Sequence, residues 1–110
     1  MALDDTIRQV LAVAKTETRS LPLQLVKFSE EHGELAEAVL VYLNEKDTTL
    51  TPEQVREHLL EESCDNLLMI LSIITRAGFT EDQVNAMSLK KLAKWESQIK
   101  ESERRGIKRS

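Results

Sequence analysis

The 110-residue chain holds only one cysteine, two prolines, three glycines and four aromatic residues. A lone Cys64 excludes an internal disulfide and fits a reducing compartment. So few glycines and prolines leave little punctuation for β-turns, and the composition reads all-α. A basic excess is missing too. The formal net charge of −4 argues against binding nucleic acid through a basic surface. The longest apolar run, Leu67 to Ile74, is interrupted by Ser72 and falls far short of the roughly 20 residues of a membrane span. The opening Met-Ala-Leu-Asp-Asp lacks the basic start and hydrophobic core of a signal peptide, so a cytoplasmic location is expected. What remains is ordinary for a soluble globular protein, with 31% charged and 41% apolar residues. The length suits a single domain, over residues 1–103, followed by a basic tail at 104–110 that is expected to fray.

Four helices are predicted from periodicity and stop signals. The first runs from Asp4 or Asp5 to Thr18, with Ile7, Val10, Leu11 and Ala14 on one side. Ser20-Leu21-Pro22 breaks it, because proline disfavours helical geometry in the residue before it. The second runs from Pro22 to Asn44. Thr51-Pro52-Glu53-Gln54 is a capping box with proline at the first helical position, and it opens a third helix that continues to Ala77 and stops at Gly78. Thr80-Glu81-Asp82-Gln83 repeats the capping logic and opens a fourth helix, to about Glu103. Helix three is apolar on nearly every face from Leu67 to Ile74, which requires cover on more than one side. Four helices of this size offer limited cover, so a four-helix bundle-type domain that assembles as a homodimer or homotetramer is expected.

Two acidic clusters interrupt the apolar stripes, Glu30-Glu31-His32-Gly33-Glu34 and Glu61-Glu62-Ser63-Cys64-Asp65. Each holds a carboxylate pair at i and i+3, Glu31 with Glu34 and Glu62 with Asp65, and such pairs share one helix face. Glu31 falls in the stripe Phe28, Glu31, Leu35, Ala38, Tyr42, and Glu62 in the stripe Val55, Leu59, Glu62, Asn66, Met69, Ile73. Both occupy positions where the pattern asks for a core residue. Burying an unpaired carboxylate costs several kcal/mol or more unless a cation neutralises it. A solvated face of charge pairs would place Lys or Arg at i+4, yet Leu35, Ala38, Asn66 and Met69 stand there. Four inward carboxylates from two facing helices therefore read as a cage for a hard divalent cation, with Glu30, Glu37 and Glu61 left to solvent.

All-carboxylate ligation with no thiolate pair or histidine cluster favours Mg²⁺ or Mn²⁺ over Zn²⁺. A di-iron bundle would want Glu-x-x-His pairs, and Ser29 and Val55 stand three residues before His32 and His58. His32 reads as a surface imidazole and Cys64 as a small buried filler. On helix four, Lys91 and Lys94 offer cations for a phosphate, and Trp95 offers a face for stacking on a base.

With these motifs the chain resembles the MazG-like, all-α nucleoside triphosphate pyrophosphohydrolases, whose signature is Glu-Glu-x-x-Glu followed after a loop by Glu-x-x-Asp. Here those are Glu30-Glu31-His32-Gly33-Glu34 and Glu62-Ser63-Cys64-Asp65, with 27 residues between Glu34 and Glu62. The flank Gly33-Glu34-Leu35-Ala36-Glu37-Ala38 and the apolar stretch after Asp65 also look like the family, and the resemblance spans roughly Leu25 to Lys94. It implies hydrolysis of a nucleoside triphosphate between its α- and β-phosphates, giving the monophosphate and pyrophosphate. Carried over position by position, Glu31, Glu34, Glu62 and Asp65 would be the Mg²⁺ ligands and the catalytic carboxylates, and Lys91 would match the family's substrate-holding lysine, while Lys94 and Trp95 join it as substrate-binding candidates on their residue types alone. One of the four, or Glu30 or Glu61, would orient the attacking water.

The chain also departs from the pattern. Relatives often carry a Lys…Asn-Arg arrangement on the last helix; Lys91 matches its lysine, but Lys94-Trp95-Glu96 lacks the Asn-Arg pair. Two other readings stay open, a phosphoribosyl-ATP pyrophosphohydrolase with a similar acidic pattern and a non-catalytic helical interaction or regulatory module. A complete set of four acids in core stripes argues against the second.

Overall fold

The computed structural model describes residues 2–106 of the chain. Four α-helices carry these residues, with no strand among them, as the sparse turn chemistry requires: α1 Leu3–Ala14, α2 Leu21–Tyr42, α3 Pro52–Arg76 and α4 Glu81–Arg104. Two compact units divide the chain after Gly78. The first contains α1 to α3, and the second contains α4.

The helix starts follow their capping residues. Ser20 caps α2, its side chain accepting from the Leu23 N–H, with Pro22 in the first turn. Thr51 and Gln54 form the reciprocal capping box of α3, and Thr80 with Gln83 that of α4. Gly78 takes φ +90 just past α3, a left-handed conformation that costs glycine nothing.

Helix α1 stops earlier than its periodicity suggests, at Ala14 rather than Thr18. Its end tightens into three-residue bonds, Thr16 N–H to the Val13 carbonyl and Glu17 N–H to that of Ala14, and the Thr16 hydroxyl donates to the same Val13 carbonyl at 2.6 Å. Glu17 then accepts from the Arg19 N–H at 2.8 Å, so local side-chain bonds replace the helical ladder. At the other end of the chain Arg104 belongs to α4 and pairs with Glu101, so the helix extends one residue beyond the expected boundary. The remainder of the expected frayed tail, 107–110, lies outside the described residues.

Within the first unit α3 packs against both α1 and α2. Gln24 pairs with Ser72, and Asn66 with the main chain of Glu31, so residue numbers rise on α2 as they fall on α3 and the two helices run antiparallel. The buried apolar residues of this unit are few and mostly small, Ala14 on α1, Ala38 on α2 and Leu71 on α3. Gln24, Glu31, Glu62 and Asn66 share the buried interior with them. In the middle of α3 Leu71 is buried, while Leu67, Leu68 and Ile70 are each more than 40% exposed.

Candidate metal centre

Antiparallel packing sets the two acidic clusters level. Glu31 from α2 and Glu62 and Asp65 from α3 offer carboxylate oxygens that all lie within 4.8 Å of one another. Glu31 is 8% exposed and Glu62 9%, confirming that both sit in the core stripes. Asp65 and Glu34, three residues along from each, are exposed, so two of the four expected inward carboxylates are buried and two stand at the rim. The reason is register: three residues turn about 300°, which leaves the later member of each pair on the flank of the stripe. Glu34 lies outside the close group, yet its charge acts on Glu62.

One oxygen of each buried carboxylate, Oε2 of Glu31 and Oε2 of Glu62, has no hydrogen-bond partner. Buried carboxylate oxygens normally accept at least one hydrogen bond, and leaving one bare costs free energy. The Glu62 carboxyl holds its proton above the ordinary range, first because burial disfavours its charge, then because Glu34, Asp65 and Glu31 repel it, against a partial offset from His58. Bare oxygens in a group of like charges fit a hard divalent cation, whose oxygen-only preference this donor set matches.

Two basic partners of the buried carboxylates escaped the sequence reading. Lys27 Nζ stands 3.1 Å from Glu31 Oε1, and its ammonium is held protonated above the usual lysine range by that hydrogen bond and charge. His58 Nδ1 lies 4.0 Å from Glu62 Oε1. Each precedes its glutamate by four residues. A search for partners only at i+4 passes over them, whereas the i−4 positions reveal the same spacing in both helices. Lys27 occupies one oxygen of Glu31 and leaves the other bare, so it lessens the charge of the group without completing its coordination.

Main-chain order comes from Asn66, which is 6% exposed. Its side-chain amide donates to the carbonyl of Glu31 at 2.9 Å and to that of Glu62 at 2.8 Å. One amide thereby fixes the backbone beneath both buried ligands.

Two clefts flank the carboxylates. Glu31 and Asp65 line one of about 710 Å³, which α1 helps to wall with Val10, Val13 and Ala14. Glu34 and Glu62 line another of about 340 Å³, at the loop between α2 and α3, together with His58 and Lys46. The acidic group is thus reachable from both sides of the α2–α3 seam.

The neighbouring residues sort as follows. Glu30, Glu37 and Glu61 are exposed, as their positions suggest, and Glu37 pairs with Lys46 at 2.5 Å. His32 is exposed and stacks on Phe28, one turn earlier, with ring centroids 6.4 Å apart and planes inclined by 17°. Cys64 is exposed rather than a buried filler. It lies two residues from both Glu62 and Asn66, about 200° round the helix from each, so inward positions for those two force it outward. Lys91, Lys94 and Trp95 are exposed on α4, Trp95 by 58%, and belong to the second unit.

No protein-family model, curated protein or solved structure matches the chain. Among the described residues, no helix is long and apolar enough to cross a membrane.

Proposed function

We propose that this chain is a Mg²⁺-dependent nucleoside triphosphate pyrophosphohydrolase that releases pyrophosphate and leaves the nucleoside monophosphate, with Mn²⁺ an alternative metal. The single observation that supports this most is the convergence of Glu31, Glu62 and Asp65 within 4.8 Å, with two buried oxygens unpartnered, beside a cleft of about 710 Å³. These three residues would hold the ion, and Glu34 at the rim would complete the set named by the MazG-like signature. A divalent ion held there would offset the repulsion between carboxylates and a triphosphate and would supply Lewis-acid activation of water.

The chain's own residues supply the rest. Asn66 holds the main chain of Glu31 and Glu62 in place before any ligand arrives, so little ordering remains to be done on binding. Lys27 orients Glu31 through one oxygen, leaving the other free to ligate. Val10, Val13 and Ala14 of α1 supply an apolar part of the cleft's wall. The substrate-binding assignment of Lys91, Lys94 and Trp95 on α4 rests on the reading of the sequence alone. A homodimer or homotetramer of such helical bundles, in the cytoplasm, would cover Leu67, Leu68 and Ile70, which each chain leaves exposed.

The deciding experiment offers a panel of ribo-, deoxyribo- and damaged nucleoside triphosphates with Mg²⁺ and identifies the products. Pyrophosphate with monophosphate is expected. Orthophosphate as sole phosphorus product would assign another reaction, and turnover confined to phosphoribosyl-ATP would move the enzyme to the histidine-pathway class.

A further inference from the structure

The two clefts beside the carboxylates differ in what they offer a polyphosphate. Among the described residues, the larger one, beside α1, is lined by the acids Glu17, Glu31 and Asp65 and by no lysine, arginine or histidine. Val10, Val13, Leu68 and Met69 make much of the rest of it apolar. The smaller cleft, at the α2–α3 loop, brings cationic chemistry to the carboxylates: Lys46 and His58 line it together with Glu34 and Glu62. Glu37 and Asp47 complete its charged lining, so a polyphosphate enters it as a metal complex rather than as a bare anion.

Lys46 is held at this cleft by the way α2 ends. Asn44 takes φ +60, the left-handed conformation, and the Glu45 N–H turns back to the Leu40 carbonyl at 2.8 Å. The Asn44 N–H reaches the Val41 carbonyl at 3.1 Å, which completes a Schellman closure. That turn sends the chain back along α2, where the Lys46 ammonium pairs with Glu37. Glu37 lies three residues after Glu34, about 4.5 Å of helical rise, so the ammonium waits roughly one turn from the rim carboxylate. Both members of the pair are more than half exposed, so solvent screens their attraction and a bound polyanion displaces Glu37 readily. Thr48 adds a hydroxyl to the same cleft. Its oxygen accepts from the Leu50 N–H at 3.1 Å, which leaves the O–H to donate.

We infer that the loop cleft is the pyrophosphate end of the site, with Lys46 as its phosphate-binding residue. The inference rests on the pyrophosphohydrolase reading of the carboxylates and gives the substrate a direction. With the α-phosphate beside Glu31, Glu62 and Asp65, the β- and γ-phosphates extend toward Lys46 and Thr48. The nucleoside then lies in the apolar cleft beside α1. Lys46 exchanges the Glu37 carboxylate for a phosphate oxygen, a charge-assisted contact that its flexible stem can follow.

The test is calorimetric binding of inorganic pyrophosphate and tripolyphosphate to the full chain, with Mg²⁺ and in EDTA, beside a titration with Mg²⁺ alone. Wild type should bind both probes with Mg²⁺ and neither in EDTA. Lys46→Met should weaken both about 10-fold, the size of one charge-assisted hydrogen bond, and leave the affinity for Mg²⁺ alone unchanged. Lys46→Arg should restore most of the loss. Glu37→Gln releases Lys46 from its partner, so it should bind the probes at least as tightly as wild type. A merely structural ion pair would make Lys46→Met and Glu37→Gln lose binding alike, and that result would overturn the assignment. Tripolyphosphate binding by Lys46→Met equal to that of wild type would overturn it too, while sparing the metal centre. Absence of any Mg²⁺-dependent binding by wild type would remove the parent reading and this one together.

Discussion

The Asn66 amide nitrogen on α3 donates across the helix seam to the main-chain carbonyl of Glu31 on α2, 2.9 Å away. A second N–H from the same nitrogen reaches the Glu62 carbonyl at 2.8 Å. The carboxylates of those glutamates repel one another, so the two helices would part at this level without a neutral bridge. Asn66 supplies that bridge through the backbone and adds no charge to the group.

Removing it should therefore cost more than a surface hydrogen bond. Asn66→Leu leaves both carbonyls to their intrahelical bonds alone and is expected to destabilise the fold by about 1–3 kcal/mol. Asn66→Asp should be worse, since it replaces the donor with a fifth carboxyl near the group. Urea unfolding of both variants checks this, and equal stability of Asp and Asn would remove Asn66 from the role given to it.

Glu62→Gln and Asp65→Asn each keep side-chain size while removing one ligand charge. In EDTA both should melt at or above wild type, because like charges held within 4.8 Å repel when no cation is present. With Mg²⁺ wild type should gain stability by mass action, and the variants should gain less. Turnover, where the panel finds any, should fall by orders of magnitude in both. Identical melts of wild type and variants in both conditions would make the clusters solvated faces.

The pH dependence of the apo protein follows from Glu62. Its folded carboxyl is shifted upward from the ordinary glutamate value, so the folded chain binds its proton more tightly than the unfolded chain. The stability this contributes is fully present below the unfolded value and is lost as pH rises through the folded one. Glu62→Gln is neutral throughout. The melting temperature of the variant minus that of wild type should be near zero at pH 4 and should grow as pH rises, in EDTA. Mg²⁺ should flatten the difference, and a difference independent of pH would contradict the upward shift.

Lys27→Met withdraws the only lysine within 4.0 Å of Glu31 among the described residues. The apo protein should melt slightly below wild type, because the pair with Glu31 is partly screened by solvent. The gain on adding Mg²⁺ should be larger than in wild type, because the ion now neutralises Glu31 unaided. A smaller gain would show that Lys27 helps to hold the ligand geometry rather than standing in for part of the cation's charge.

Much of this was legible in the residues. Capping boxes at Thr51 and Thr80 and the stop at Gly78 fixed the helix boundaries, since they satisfy backbone groups locally and need no tertiary partner. The 3.6-residue period marked Glu31 and Glu62 as inward, because a core stripe is a property of one helix. The sequence likewise supplied Lys27 and His58 at i−4, where a one-directional search for partners missed them. Only the tertiary structure decided that Asp65 joins the close group while Glu34 stays outside it, for that depends on the relative rotation of α2 and α3. The same holds for Gln24, Ser72 and Arg76, which are 48 and 52 residues apart along the chain and carry no motif. Antiparallel packing brings them together, and the one-sided hydrogen-bonding capacity of the guanidinium orients the amide. Local chemistry set the helices and named the acids; long-range register determined which of their atoms meet.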